Sequence, residues 1–280
     1  MTEQLQKKVD RAIRLIQAAS KKSLESGSPI EVCYSGGKDS DVILELTRMA
    51  GVPYRAIYKN TTIDPAGTIK HARDMGAEVI RPKKNFFQLI REHGLPSRFV
   101  RFCCSELKEY KVLDYAILGV RRQESTKRSK MYKEPELCRV YSKNEKVRQY
   151  FPILDWTLED VAQFIAERNI RCAPVYYDEQ GVFHAERRLG CMCCPLASRN
   201  KRLEDFRKHP NMVKLYIRSA QRWMDTHPNA KSNQKFSNAY ELFVGTTFYD
   251  THNEFKNGTE TMFGKTDCKK FLEDYFKIKL

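Results

Sequence analysis

No stretch of the 280 residues approaches the roughly 18 apolar residues that a membrane-spanning helix needs, so a protein held in a bilayer by helices is not expected. The start, Met1-Thr2-Glu3-Gln4, has no apolar signal core, and the expectation is a soluble protein of the cytoplasm without membrane partners. Internal repeats and low-complexity tracts are also missing, which excludes solenoids and unstructured polar chains. The G-x-x-x-x-G-K-[ST] spacing of a Walker A loop occurs nowhere.

What is present is an excess of positive charge. Lys and Arg number 50 against 35 Asp and Glu, a net charge of +15, in a chain that is otherwise ordinary at 41% hydrophobic and 30% charged residues. Such a surface attracts polyanions, either nucleic acid or anionic small molecules, and charge alone does not separate the two. Local basic groups occur at Lys108 and Lys111, at Arg121-Arg122, at Lys127-Arg128 and from Arg199 to Lys208. The nine cysteines are many for a reducing compartment, where a disulfide framework is not expected. Cys103-Cys104 and Cys191-Met192-Cys193-Cys194 form two tight groups that suggest a metal or redox site. Cys33, Cys138, Cys172 and Cys268 are scattered and read mostly as small buried hydrophobes.

Periodicity gives an alternation of helices and strands. Val9, Ala12, Ile13, Ile16 and Ala19 recur at helical spacing and predict an amphipathic helix near 4–24. Strands are expected at 30–34, 54–58, 77–80 and 116–120, with helices at 41–49, 66–75, 86–92 and 105–115. This order implies an α/β fold with a doubly wound, mostly parallel sheet, in which ligands bind beyond the carboxyl ends of the strands. Beyond residue 140 the pattern weakens. A helix capped by Thr157 should run to Asn169, basic and aromatic helices should fill 200–226, and the polar stretch 231–264 reads as loops. The expected division is an α/β domain over 1–200, carrying the two cysteine groups and the ligand-binding strand ends, followed by a helical and irregular basic extension over 201–280.

Ser35-Gly36-Gly37-Lys38-Asp39-Ser40 lies directly between a predicted strand and a predicted helix. Glycines let the backbone approach phosphate oxygens, and the helix N-terminus offers N–H groups to the anion. Lys38 adds charge, and Ser35 and Ser40 add hydroxyl donors. Asp39 reads either as a ligand for Mg²⁺ or as a helix cap. The string resembles the PP-loop of the ATP pyrophosphatases. Further segments resemble the phosphoadenosine phosphosulfate (PAPS) reductase branch of that superfamily: Gly119-Val120-Arg121-Arg122-Gln123-Glu124-Ser125-Thr126-Lys127-Arg128, the stretch from Phe151 to Val161, and Gly190-Cys191 through Cys194-Pro195. The resemblance covers about residues 28 to 200. It implies a Rossmann-like sheet of the adenine-nucleotide hydrolase type. It also implies that residues 35–40 hold the phosphates of ATP, or of PAPS or adenosine phosphosulfate, with Lys38, Asp39 and Ser40 taking part in the chemistry. Gly119, Arg121, Arg122 and Arg128 would then face the anionic end of the nucleotide or substrate.

Cys191 and Cys194 have the two-residue gap that lets both thiolates meet one metal centre, and Cys103 with Cys104 would complete four ligands if folding brings them close. The C-C…C-x-x-C pattern is similar to one branch of the sulfonucleotide reductases, and of thiolation and phosphorothioation relatives, and so implies a [4Fe–4S] cluster. Structural zinc and no metal remain as alternatives. Cys193 is a further thiol inside the loop, able to replace a neighbour or carry sulfur, and Arg187, Arg188 and Arg199 would offset the charge of a thiolate centre. His93 and His184 have no partner spacing and are left outside the site. Tyr176, Tyr177 and Trp223, with arginines nearby, could stack on bases, but packing is the better reading.

Three activities are compatible with these motifs. One is an ATP pyrophosphatase that adenylates a substrate for sulfur transfer, as in nucleic-acid thiolation or phosphorothioation, with a sulfur-donor protein as partner. The second is a PAPS or adenosine phosphosulfate reductase that releases sulfite, and the third a non-catalytic nucleotide-binding module. The intact loop and the absence of the reductases' E-C-G-x-H segment favour the first. In the reductase reading the only late cysteine, Cys268, would be the nucleophile, carried into the site by a flexible tail.

Overall fold

The structure, a computed structural model, describes residues 1–142, 145–231, 233–261 and 264–280. In chain order the elements are α1 (Glu3–Glu25), β1 (Ile30–Tyr34), α2 (Lys38–Met49), β2 (Tyr54–Lys59), α3 (Thr68–Asp74), β3 (Glu78–Ile80), α4 (Phe86–His93) and α5 (Phe102–Leu107). They continue with β4 (Tyr115–Ile117), α6 (Thr126–Met131), β5 (Glu136–Ser142), β6 (Glu145–Tyr150), α7 (Leu158–Glu167), α8 (Arg199–Lys208) and α9 (Pro210–Thr226). The last helices are α10 (Ala239–Thr247), α11 (His252–Thr259) and α12 (Cys268–Phe276), with a short strand pair, Glu260–Thr261 and Gly264–Lys265, before α12.

The sheet has the order β3-β2-β1-β4-β6-β5. All its pairings are parallel except β5 with β6, a hairpin that closes one edge. With its flanking helices this is a Rossmann-like α/β fold. Successive strands run outward from β1 through β2 to β3, and the chain then returns to place β4 on the other side of β1. That reversal opens a crevice at the carboxyl ends of β1 and β4, where such sheets bind ligands.

Packing divides the chain into two compact units: one of residues 1–60, 64–81 and 109–190, the other of residues 61–63, 82–108 and 191–280. Residues 82–108 and 191–200, placed with the nucleotide domain by the sequence, thus pack with the C-terminal helices. The first unit has its core around β1, whose Ile30 and Val32 are fully buried, and around Val42, Ile43, Leu44 and Leu46 of α2. α1 covers it with Leu5, Val9, Ala12, Ile16 and Ala19, one stripe at helical spacing. The second unit is aromatic: Phe206 packs edge-on at 5.1 Å against both Tyr216 and Phe243, beside fully buried Phe86 and Phe255.

Several expected boundaries are corrected. Residues 105–115 are not one helix: α5 ends at Leu107, and the Leu113 N–H is instead taken by the buried Glu31 carboxylate at 3.1 Å. β4 stops at Ile117 rather than Val120, because the chain there leaves the sheet to pass over the start of α2. The polar stretch 231–264 contains α10 and α11, started by Asn238 and Thr251 caps and held by buried Leu242, Phe243, Val244 and Phe255. Cys268 is not on a loose tail; it is the first residue of α12 and 4% exposed. The β5–β6 hairpin escaped the sequence reading because Leu137 and Val140 on its edge strand are solvent-exposed and the face that β6 buries, at Val147, Gln149 and Tyr150, includes a polar residue. Among the described residues no helix is long and apolar enough to cross a membrane.

The N-terminus of α7 follows the sequence expectation: Thr157 accepts the Asp160 N–H, and Asp160 in return accepts the Thr157 N–H at 2.7 Å. Thr157→Ala should cost about 1 kcal/mol of stability, read as a lower urea midpoint at unchanged slope.

Candidate nucleotide and cysteine sites

The phosphate loop forms because β1 ends at Tyr34 and only three residues separate it from the start of α2 at Lys38. Gly36 turns the chain with φ of 75°, and a Cβ there would stand 2.8 Å from Cγ2 of Thr68, so both conformation and space call for glycine. Gly37 is the N-cap of α2 and has no side chain to occupy the N–H groups of the first turn. This is the arrangement in which a helix start binds phosphate. Asp39 therefore does not cap the helix. Exposed Ser35 places Oγ 3.3 Å from the Ser40 hydroxyl, which donates to the Gly37 carbonyl at 2.7 Å.

Lys38 is buried at 4% exposure, with Nζ 3.1 Å from Oδ2 of Asp39. The other carboxylate oxygen of Asp39 accepts a hydrogen bond from Nε of Arg121 at 2.5 Å. Arg121 itself is only 4% exposed. Two buried cations thus share one carboxylate at the mouth of the loop. Gly119 makes this possible: a Cβ on it would fall 2.8 Å from the backbone oxygen of Asp39.

The three arginines expected at the anionic end differ in setting. Arg121 joins the loop. Arg122 turns away from it, pairing with Asp155 and donating to the carbonyls of Tyr132 and Lys133. Arg128 pairs with Glu124, and burial, with the like charges of Arg188 and Arg121 nearby, lowers its pKa below the usual guanidinium range. Arg188 donates to the Glu124 carbonyl at 3.0 Å. The cationic group beside Asp39 is therefore Arg121, Arg128 and Arg188, with Arg122 bracing the segment behind it.

Tyr176 is the residue that sequence reasoning missed. Its ring is 2% exposed, and its hydroxyl accepts the Lys38 N–H at 3.2 Å and the Leu189 N–H at 3.4 Å. Burial pushes the phenol up to about 12, so it stays neutral. Tyr176 also lies under Lys38, with Nζ 5.5 Å from the ring centroid. A buried polar network, also unforeseen, underlies α2: Asp41 accepts from the Tyr34 hydroxyl and lies 3.0 Å from Nε2 of His71. Burial and the Asp41 charge raise the Tyr34 and Cys172 pKa values well above their ordinary range. No spacing signal marks either feature, since both join residues distant in sequence.

The second unit contains all of Cys103, Cys104, Cys191, Cys193 and Cys194. Cys103 and Cys104 lie on α5, half-buried like Cys191 and Cys194. The Cys103 thiol is raised by its hydrogen bond to Cys104, by burial, and by the charges of Cys104, Cys194 and Cys191, so these thiols share one electrostatic neighbourhood. Among the described residues, however, no group of three or more His, Cys, Asp or Glu side chains is gathered as a metal-holding set. Cys193 points into the core instead: it is 1% exposed, has φ of 55°, and burial raises its thiol. The arginines expected to offset a thiolate centre are engaged otherwise, Arg187 with the Tyr177 carbonyl at 2.6 Å, Arg188 with the Glu124 carbonyl, and Arg199 with Asp250 at 2.6 Å. Of the scattered cysteines Cys172 and Cys268 are buried as expected, whereas Cys138 is exposed on β5.

A model of the phosphoadenosine phosphosulfate reductase domain matches residues 29–197. The chain belongs to this family, within the PP-loop superfamily. An uncharacterized protein of Methanocaldococcus jannaschii is 29% identical over 234 residues, 74% of this chain and 54% of that one. Sulfate adenylyltransferase subunit 2 of Shewanella frigidimarina is 27% identical over 201 residues, 58% of this chain and 64% of its own. The solved phosphoadenylyl-sulfate reductase of Candida auris, in a phosphate complex, aligns with 68% of this chain and 96% of that chain at a TM-score of 0.42 and 13% identity. The chain spans about half the length of the curated relatives it matches.

Tyr176→Phe tests the loop geometry. Removing the hydroxyl leaves two buried N–H groups without their acceptor, and stability should fall by about 1–3 kcal/mol in chemical denaturation. Added pyrophosphate should restore part of that loss if the Lys38 N–H then turns to phosphate.

Proposed function

We propose that the chain is a PP-loop enzyme that splits ATP to AMP and pyrophosphate while adenylating a substrate for sulfur transfer. The observation that carries this reading is the intact Ser35–Ser40 loop, with glycine at the N-cap of α2 and Lys38 and Arg121 converging on one carboxylate. A nucleophile on the acceptor would attack the α-phosphorus, and the bond to the bridging oxygen would break, that oxygen leaving with pyrophosphate. N–H groups of Gly36 and Gly37 and the Lys38 ammonium would stabilise charge developing on the leaving group. Ser35 and Ser40 would orient phosphate oxygens, and Arg121 and Arg128 would receive the acceptor's or nucleotide's anionic end beyond Gly119. Arg122, turned to Asp155, serves as a positioning residue.

Mg²⁺ bound with the nucleotide would neutralise phosphate charge. Asp39 is the carboxylate at hand for it, and it would have to exchange one of its two cationic partners for the metal. A basic surface suits a nucleic-acid acceptor, and the incoming sulfur would come from a donor protein. The sulfite-releasing alternative needs a mobile nucleophile, and Cys268, buried at the start of α12 with burial pushing its thiol up to about 11, is poorly suited to that task.

The all-thiol donor set on two segments of one unit, its members within one electrostatic neighbourhood, supports a [4Fe–4S] cluster that Cys103, Cys104, Cys191 and Cys194 would hold. A bound cluster of this kind supplies a redox-active iron and sulfide centre.

Two experiments test these assignments. With ATP and Mg²⁺, alone or with the acceptor, the protein should release AMP and pyrophosphate, and Lys38→Ala should abolish release while circular dichroism is unchanged. Asp39→Ala should abolish it too, but at a cost in stability, because it strips two buried cations of their counter-charge. Cys268→Ser should leave the rate within about twofold, a change worth well under 1 kcal/mol of barrier. Sulfite release from a sulfonucleotide that depends on Cys268 would reverse the reading. For the cluster, protein purified without oxygen should be brown with about four iron per chain, and Cys191→Ser or Cys194→Ser should bleach it. A colourless protein holding stoichiometric zinc points to the Cys₄ zinc alternative.

A further inference from the structure

The second unit contains none of the phosphate-loop residues, yet it has a cavity of its own, of about 560 Å³. Arg98, Arg202, Lys231 and Lys235 stand in its wall, and Asp250 is the one acidic residue there among the described residues. Asp250 is already committed to Arg199 at 2.6 Å. The cavity is therefore cationic.

Arg202 is the informative member. It is 9% exposed on α8 and donates from one terminal nitrogen to the Thr247 carbonyl at 2.5 Å. Its Nε has no partner, and among the described residues no carboxylate pairs with it. Burying a guanidinium is costly unless its donors are satisfied and its charge is matched. His252, in the same wall, likewise has a buried Nδ1 without a partner. The orphaned guanidinium N–H of Arg202, in a cationic wall, calls for an anionic ligand with an oxygen to accept its proton.

The rest of the wall narrows the ligand. Trp223, Phe236 and Tyr249 contribute aromatic surface, and at the lip Phe99 is 92% exposed and Val100 54% exposed. Aromatic rings beside phosphate-binding cations are what a nucleotide unit needs, a base stacking on a ring while its phosphate meets a guanidinium. The exposed Lys231 and Lys235 extend positive charge outward from Arg202, which favours a strand of successive phosphates over a lone nucleotide. We propose that this cavity is a binding subsite for single-stranded nucleic acid. Arg202 takes one backbone phosphate, Lys231 and Lys235 flank the strand, and Phe99 stacks a base at the lip. This deepens the nucleic-acid acceptor reading above, but binding here does not require the loop to split ATP.

The test is fluorescence anisotropy of a short labelled single-stranded RNA or DNA against the full chain over a range of salt. Phe99→Ala should weaken binding about tenfold, in keeping with the loss of one stacked base. Lys231→Ala with Lys235→Ala should lower the slope of log affinity against log salt by about 1.4, two single-strand phosphate contacts. These side chains are exposed, so both variants should keep their melting temperature. Arg202→Gln should lose the most affinity, judged only where its circular dichroism matches that of the parent. Lys38→Ala should bind the oligonucleotide normally, so failure of ATP cleavage and failure of this site are read separately. Wild-type affinity and slope in both exposed variants would overturn the proposal. So would displacement of the oligonucleotide by AMP or inorganic phosphate as readily as by unlabelled strand, which would assign the cavity to a free anion.

Discussion

The shared carboxylate of Asp39 is the interaction on which the nucleotide crevice depends. Lys38 and Arg121 are both almost fully buried, and each would be intolerable there without a counter-charge. Asp39 supplies it to both, through one oxygen each, and in doing so ties the segment after β1 to the segment after β4. The balance is uneven, since two cations share one anion. An anion at the α2 start would complete the compensation, which is the electrostatic basis of the proposed phosphate site. The same contact sets a backbone requirement. The chain after β4 must pass within touching distance of the Asp39 carbonyl, and only Gly119 permits that approach.

Much of this was visible in the sequence, and the reasons are physical. β1 is a five-residue strand with buried Ile30, Val32 and Tyr34, followed after one residue by a glycine pair, and α1 and α7 repeat their apolar residues at helical spacing, so local pattern and tertiary burial agree. The loop residues, Gly119 and Arg121 fall together because strand-to-helix turns in a parallel sheet collect on one edge. What stayed hidden depends on partners distant in sequence. Tyr176 reaches Lys38 across 138 positions, and nothing near either residue announces the bond. The buried Asp41 looked like an ordinary acid in the first turn of a helix, and its partner His71 lies on another element.

The misplaced elements have an equally specific cause. Residues 231–264 are rich in Asn, Thr and Gly, which read as loop, yet Asn238 and Thr251 are there as helix caps. Composition cannot tell a cap from a turn, because the same side-chain oxygen serves both. The basic run from Arg199 to Lys208 misleads in another way. Lys201 pairs with Asp205 at 2.9 Å and Lys208 with Glu204 at 2.6 Å, while Arg207 donates to the Tyr275 hydroxyl at 2.5 Å. Two of these charges are thus spent within the helix, and Arg199 and Arg207 find their partners on other segments.

This bears on how the +15 should be read. Net charge describes the far field that draws a polyanion in, but binding needs cations whose local partners are missing. Arg122, Arg187, Lys201 and Lys208 are matched by carboxylates or carbonyls of their own surroundings, and such pairs offer a ligand little. Arg202 differs from them because burial has removed its water and the fold has supplied a single carbonyl in return. The same imbalance between cation and counter-charge distinguishes the Lys38–Asp39–Arg121 group. In both units the residues worth attention are those whose charge the fold itself leaves incompletely answered.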